Sequence, residues 1–439
     1  MDGVSPRLPA RPRIAVIGAG ITGLGAAWLL RETAHVTLFE AEPRLGGHAD
    51  TFVVDFCGQA VPVDTGFIVL NDRNYPNLVA LFEALAVPTE NSDMGFAVSL
   101  EAGRLEYGGG SLAQLFGQRR NLLRPSFHGM WRDILRFYRE APGLVNGNED
   151  ANLGDVSLGH YLERERYGQG FIQDHILPMG AAIWSASVNG IRDFPVRAFA
   201  RFFANHGLLQ VNNRPQWRTV TGGSREYVRR IEAALPDVRK GLPVLALRRD
   251  GTGVLVTTAS GTERFDHAVL ATHAPQALAL LEDPTAQERA VLGAFRTTEN
   301  RALLHTDASL MPRRKRVWSA WNVMSLAPGD RARALCVTYW MNRLQNLTTP
   351  EPLLVTLNPL REPARGTVMK DVTYHHPHYD AAALAAQARL HTIQGVHRLE
   401  FCGAWTGWGF HEDGLASAVA AATRLGAAIP WGTREAVRA

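Results

Sequence analysis

The sequence predicts an α/β protein: a Rossmann-like dinucleotide-binding domain with an inserted domain of mixed sheet and helix. Three observations predict it. An apolar strand, Ile14 to Ile17, runs into Gly18-Ala19-Gly20-Ile21-Thr22-Gly23 and at once into a small-residue helix. A second apolar strand, Val36 to Phe39, ends on Glu40. Two more buried-strand signatures come far downstream, Phe265 to Pro275 and Leu399 to Trp405, so the nucleotide unit must be assembled from distant pieces.

Each part of the first motif has a physical task. Gly18 permits the tight strand-to-helix turn, Gly20 lets a pyrophosphate approach the backbone, and Gly23 allows close helix-to-strand packing. The helix N-terminus supplies N–H donors and a positive dipole end. Glu40 stands where a carboxylate accepts hydrogen bonds from the adenosine ribose hydroxyls.

Beyond it, Ala60 to Phe67 reads as a strand and turn. Asn71 to about Gln216 is mostly helical in pattern and rich in arginine and aromatics. A turn at Thr219 to Ser224 precedes a helix, Arg225 to Leu235. Strands Val244 to Arg248 and Gly253 to Thr258 follow, joined by Arg249-Asp250-Gly251-Thr252. Strand signals then dominate to Tyr374, at Arg301 to Thr306, Val317 to Asn322 and Ala334 to Trp340. The last strand leads through Gly409 to a small-residue helix, Leu415 to Leu425. The expected cofactor domain comprises 13–70, 219–292 and 395–430, with 71–218 and 293–394 forming the substrate domain.

Composition bounds the function. The 439 residues are 46% hydrophobic and 20% charged, as in ordinary globular proteins. A net charge of +4, with no zinc-finger, RNP-like or basic-zipper signature, gives no reason to expect nucleic acid. Cys57, Cys336 and Cys402 are too far apart for a disulfide framework or a Cys-x-x-Cys metal site, which points to a reducing cytoplasm. Met1 to Arg13 lacks the apolar core of a secretory signal and reads as a disordered lead-in. No run approaches the roughly 18 apolar residues of a membrane span.

Arg44-Leu45-Gly46-Gly47, directly after Glu40-Ala41-Glu42, resembles the extension found in flavoproteins of the amine oxidase, phytoene desaturase and protoporphyrinogen oxidase superfamily. The resemblance implies FAD in a fold of the glutathione reductase/amine oxidase type, with Arg44, Gly46 and Gly47 beside the flavin end. It further implies that Thr65-Gly66-Phe67 lines the flavin pocket, that Val244 meets the adenine through its backbone, and that Ala271-Thr272 reaches the pyrophosphate side. Gly403, Ala404 and Asp413-Gly414-Leu415 would lie against the flavin ring and ribityl chain, where a helix N-terminus favours negative charge. The small residues of that last helix equally suit tight packing alone.

The departures from the amine oxidase pattern bear on substrate. Members that oxidise amines hold the amine between two aromatic rings, and one ring position falls on His411. An arginine after the double glycine is replaced by His48, and a lysine that holds water near the flavin becomes Arg301. Four motifs, Asp64 to Arg73, Arg119 to Phe127, Tyr339 to Gln345 and Phe410 to Leu415, resemble bacterial flavin-dependent fatty acyl desaturases of furan and methyl-branched fatty acid formation. That resemblance implies a methylated monounsaturated acyl chain, carried on phospholipid, dehydrogenated to a diene beside a lipid methyltransferase partner. Rival readings are a flavin amine oxidase, a non-catalytic flavin-binding partner of that methyltransferase, and a carotenoid desaturase, for which the chain is short and the subgroup motifs differ.

His411, His376 and His375 are the candidate bases, a surface or structural role being the stronger reading of His375 and His378, and Arg301 is a further catalytic candidate. His375-His376-Pro377-His378 lacks the cysteine or acid pattern of a metal site. Residues 116–140 interleave arginines with Leu, Phe, Met and Trp at helical spacing. They read either as an amphipathic helix whose apolar face is core, or as a contact with an anionic membrane. The second reading puts a cytoplasmic protein at the inner face of the membrane.

Overall fold

The computed structural model describes residues 11–56, 58–146, 156–184, 187–210, 214–326 and 334–432. Residues 1–10 of the expected lead-in and Cys57 lie outside the described residues.

Five short parallel strands form the central sheet, in the order Val238–Arg239, His35–Phe39, Arg13–Ile17, His267–Leu270, Leu399–Phe401. Ile14 sits between Val36 and His267 in register. These strands are near-continuous apolar runs, as expected where both faces are covered. Parallel pairing brings their C-terminal ends to one edge, so Gly18, Glu40, Ala271 and Cys402 arrive together from three distant parts of the chain.

A second, seven-stranded sheet runs Val368–His378, Arg296–His305, Leu354–Leu357, Cys336–Trp340, Trp321–Met324, Phe96–Leu100, Leu105–Gly108. Phe96–Leu100 pairs with Trp321–Met324, so both inserted segments share this sheet. The expected strand Val317 to Asn322 begins only at Trp321. The Asn322 side chain accepts from the Ser319 N–H and donates to the Ser319 carbonyl, closing a turn over the preceding residues.

A helical layer covers the far side. In helix Pro125–Asn146, Phe127, Met130, Ile134, Phe137 and Ala141 recur at intervals of three and four and are buried. They pack with Phe171 and Phe199 in one core. Most of the apolar residues read as amphipathic in 116–140 are therefore core. Leu122, Leu123 and Leu135 are exposed.

Helices Ile21–Leu30 and His411–Arg424 lie side by side on the central sheet. Gly23 is packed so closely against the preceding turn that an added Cβ would overlap the Gly18 carbonyl oxygen. A Gly23→Ala change forces the turn or the helix to move. We expect it to lower stability by about 1–3 kcal/mol, read as a lower denaturant midpoint. An unchanged midpoint would contradict this packing.

Candidate active site

A continuous cavity of about 750 Å³ runs from the ligand edge of the central sheet to the helical layer. Gly18, Ala19, Gly20, Ile21, Thr22, Glu40 and Ala41 line one end, with Val244, Ala271 and Thr272 nearby. Gly47, His48, Thr65, Gly66, Phe67, Gly403 and Ala404 line its middle.

The residues at this end fit a dinucleotide. Gly18 has φ +95°, a conformation that favours glycine. A Cβ built on Gly20 meets nothing within 4 Å, so the start of the first helix opens into free space. The first N–H groups of a helix have no partner within it and suit a diphosphate. Glu40 Oε2 accepts from the Ala19 N–H at 2.7 Å and Oε1 from the Glu42 N–H at 2.9 Å. That fixes the carboxylate and leaves lone pairs for ribose hydroxyls. Behind the middle of the cavity, Thr65 N–H donates to the Asp50 carbonyl (2.9 Å) and Phe67 N–H to the His48 carbonyl (2.7 Å). A Cβ on Gly66 would overlap that His48 oxygen, so these two backbone stretches form a tight wall for a planar ring.

Other residues expected at the cofactor stand behind the wall. Gly23 packs on the turn, and Gly46 N–H donates to the Ala19 carbonyl at 2.8 Å. Arg44 donates to the Gly47 carbonyl (2.9 Å) and pairs with Asp50 (3.2 Å). Asp413 accepts from the Phe410 N–H at 2.9 Å, capping its own helix. Gly414 and Leu415 pack against Thr22 and Gly25.

Arg301 does not face the cavity, which corrects the expectation for it. Its guanidinium is 41% exposed and binds Asp371 (2.7 Å) and Glu362 (2.6 Å). Successive side chains on a strand alternate faces, and here the inward positions go to Asn300 and Ala302. The same alternation on strand Val368–His378 turns Lys370, Tyr374 and His376 inward and leaves Asp371 and His375 outward.

Sequence reading missed Asp50, Lys370 and Tyr374. Lys370 Nζ lies 2.5 Å from Asp50 Oδ2, and the Tyr374 hydroxyl donates to the same oxygen at 2.9 Å. Tyr374 also meets Thr65 Oγ1 at 2.8 Å. The period-two pattern of the strand was the available signal.

Imidazoles and the Tyr374 and Thr65 hydroxyls are the polar groups gathered beside this wall. The His48 ring stacks on Tyr374 at 5.1 Å and stands 5.4 Å from His376. The His411 ring stacks on Phe67 at 3.8 Å, its Nε2 hydrogen-bonded to the Tyr227 hydroxyl at 3.0 Å. Burial holds these rings neutral. It pushes His411 down to about 3 and His376 and His273 down to about 4. His48 is lowered by burial, then by neighbouring imidazoles and Arg44.

The remaining arm is apolar, walled by Met94, Phe96, Met179, Ile183, Trp184, Leu208, Trp217, Trp321, Val355 and Leu357. Among the described lining residues Glu40 is the sole carboxylate, at the nucleotide end, and there is no lysine or arginine.

A nucleotide cradle that opens past a tight backbone wall into an apolar cavity defines a flavin-dependent oxidoreductase. Residues 21–426 match the profile of the flavin containing amine oxidoreductase family, and the chain belongs to that family, with FAD as its cofactor. It is 30% identical over 283 residues to a carotenoid phi-ring synthase of Streptomyces griseus, covering 59% of this chain and 52% of that protein. It is 28% identical over 151 residues to the carotenoid phi-ring synthase of Chlorobaculum tepidum, covering 33% and 22%. The chain thus spans about half or less of the length of these relatives. Cyclohexylamine oxidase of Brevibacterium oxydans shares the fold, with TM-score 0.68, 15% identity, and coverage of 94% and 99%.

Two expectations follow. Gly20→Ala should keep the stability of the flavin-free protein within about 0.5 kcal/mol, because its Cβ enters open space. It should weaken FAD at least about tenfold (~1.4 kcal/mol), measured by flavin fluorescence titration, because that space belongs to the diphosphate. Acid should also destabilise the fold. Unfolded histidine titrates near 6.5, whereas His175 and His411 are pushed down to about 3, and His206, His273 and His376 to about 4. Between pH ~6.5 and ~4 the unfolded chain binds protons that the folded chain refuses, so their contribution is complete above that window and is lost as pH falls. His48, His267 and His305 are lowered as well, whereas Asp64 and Asp413, raised by burial to about 6 and about 7, and Glu400 and Glu412, also raised by burial, act in the opposite sense, four carboxyls against eight imidazoles. Urea midpoints should therefore fall from pH 7.5 to 5; a flat profile would show that the imidazoles protonate in place.

Proposed function

We propose that this FAD-dependent oxidoreductase dehydrogenates a methylated, unsaturated fatty acyl chain, carried on phospholipid, to a diene on the route to furan fatty acids. The observation that supports this reading is the lining of the substrate arm: methionine, tryptophan and aliphatic side chains, with neutral imidazoles among the polar groups nearest the flavin wall. An ammonium substrate would find no carboxylate there, and His411 already lies flat on Phe67, leaving no gap between these two rings.

When bound, FAD supplies the acceptor for a hydride leaving the allylic carbon. The chain's own residues do the rest. The apolar walls exclude water and hold the acyl chain in register with the flavin wall. Loss of hydride leaves a carbon skeleton whose neighbouring C–H is strongly acidic, so a weak, neutral base suffices to take the second proton. His376 and His411, held neutral by burial, fit that role, and Tyr227 fixes the orientation of His411. Hydride and proton together account for the two hydrogens removed.

Similarity to carotenoid phi-ring synthases favours a second reading, a carotenoid substrate in the same apolar arm. We place the protein in the cytoplasm, beside the lipid methyltransferase that would supply the methylated chain.

Anaerobic mixing separates these readings. A methylated monounsaturated phospholipid should bleach the bound flavin and yield a product two hydrogens lighter by mass spectrometry. Bleaching by amines or carotenoids alone would sink the acyl reading, and bleaching by none would favour the non-catalytic partner. His376→Ala or His411→Ala should retain FAD and slow the reaction about 10²–10⁴-fold. Full turnover in both variants and in the double variant would remove the imidazoles from the chemistry.

A further inference from the structure

Helix Pro125–Asn146 and the turn before it, Arg119–Leu123, have an outer face unlike ordinary solvent surface. His128, Arg132, Leu135 and Arg139 recur at intervals of four, three and four, and all are exposed. Leu123 is 88% exposed, Leu112 75%, and Leu122 and Leu135 51% each. Single exposed leucines are commonplace. Here four of the nine exposed large apolar side chains among the described residues fall within 112–135. Such clustering marks a surface meant to be covered.

Charge identifies what covers it. Arg119 and Arg120 flank the two leucines, and a shallow groove of about 510 Å³ is lined by Arg132, Arg136, Arg139 and Arg166. The nearby acids are spent internally. Asp133 is buried and accepts the Gly168 N–H at 2.8 Å. Glu140 accepts from Tyr167 at 2.7 Å and pairs with Arg136 at 3.0 Å. The outer face therefore combines protruding leucines with guanidinium groups of which Arg132 has only the buried Asp133 near it, at 3.9 Å, and Arg136 is paired with Glu140.

We propose that this face docks on an anionic lipid bilayer, with Leu122 and Leu123 entering the boundary between headgroups and acyl chains and the arginines resting on lipid phosphates. Dispersed arginines around aliphatic side chains match a fluid anionic surface. A protein partner would favour aromatic anchors, and no aromatic side chain is among the exposed large apolar residues described here. Among the described residues no helix is long and apolar enough to cross a membrane, so docking would be peripheral. The docking helix packs on helix Val196–Asn205, whose Phe202 lines the substrate arm. Docking thus sets the helical wall of the cavity over the lipid that carries the substrate.

The proposal rests on the acyl-chain reading only for its purpose, and its test reads binding alone. The FAD-loaded full chain should float with vesicles containing phosphatidylglycerol at low salt. It should release at high salt and bind pure phosphatidylcholine at least about tenfold more weakly. Leu122→Glu with Leu123→Glu, and separately Arg132→Glu with Arg139→Glu, should each weaken flotation at least about tenfold while the flavin spectrum and melting temperature stay unchanged. Absence of binding at low salt overturns the proposal, as does flotation that either double variant leaves intact. Equal binding to phosphatidylcholine, or capture of a protein partner without any vesicle binding, overturns it as well. If flotation holds while no acyl lipid bleaches the flavin, the docking face stands and the substrate reading falls.

Discussion

Helices Ile21–Leu30 and His411–Arg424 pack closely where Gly25 and Gly414 have no side chains. A Cβ at Gly25 would come within 2.5 Å of Leu415, and one at Gly414 within 2.6 Å of Thr22. That approach brings two helix N-termini to one cavity, each a region of partial positive charge. One would serve a bound diphosphate and the other the flavin end, where a dipole of this sign would favour negative charge. The second helix also meets helix Pro76–Ala84, whose Leu78, Leu81 and Phe82 share the core beneath it. Buried Glu412 accepts from the Asn77 N–H (2.9 Å), the Asn77 amide (2.7 Å) and the Leu78 N–H (3.0 Å), capping helix Pro76–Ala84. A buried carboxylate is tolerable only with such donors, so its position ties helices Pro76–Ala84 and His411–Arg424 together.

Charge is kept out of the reacting volume and paired behind it. Asp50 gathers Lys370, Arg44 and the Tyr374 hydroxyl on the far side of the Thr65–Phe67 wall. Inside, desolvation is the largest influence on each histidine and leaves it neutral. This distribution has a chemical consequence. A fixed cation beside a carbon that is losing hydride would oppose the developing positive charge, and at low dielectric the penalty at contact distance would be large. In the proposed dehydrogenation, neutral rings would avoid that penalty and would still accept a proton afterwards. A free amine gains nothing from the same arrangement.

The cofactor half was legible because its determinants are local. Strand, glycine turn, helix and acid follow one another within 13–40, and Ala271 and Gly403 stand at strand ends that apolar runs announce. The substrate half was less legible because cross-strand register places its residues. Arg301 was expected near the flavin, yet it points outward while Lys370, on the paired strand, points inward. Asp413 follows the motif expected at the flavin but serves as a helix cap, a choice made by the Phe410 N–H and by burial. In 116–140 the helical period was clear. Only packing could sort Phe127 and Phe137 into the core and leave Leu122 and Leu123 outside.

The cavity joins the nucleotide edge of the central sheet to walls built from both inserted segments. The cofactor end is built from backbone: glycines, carbonyls and helix N-termini that tolerate little change. The other end is built from side chains of two inserted segments, which meet when Phe96–Leu100 pairs with Trp321–Met324. Met94 and Phe96 come from one segment, Trp321, Val355 and Leu357 from the other. Substitution there reshapes the wall without moving the nucleotide cradle. His411 is the exception, because it sits on the helix that also faces the flavin. Its ring is held by Phe67 on one face and by Tyr227 at Nε2, so its chemistry is set by residues of the cofactor domain while its neighbours in the cavity include Trp408 and Phe410. A change of substrate class in this family is therefore expected to need a change at this one position as well as in the inserted walls.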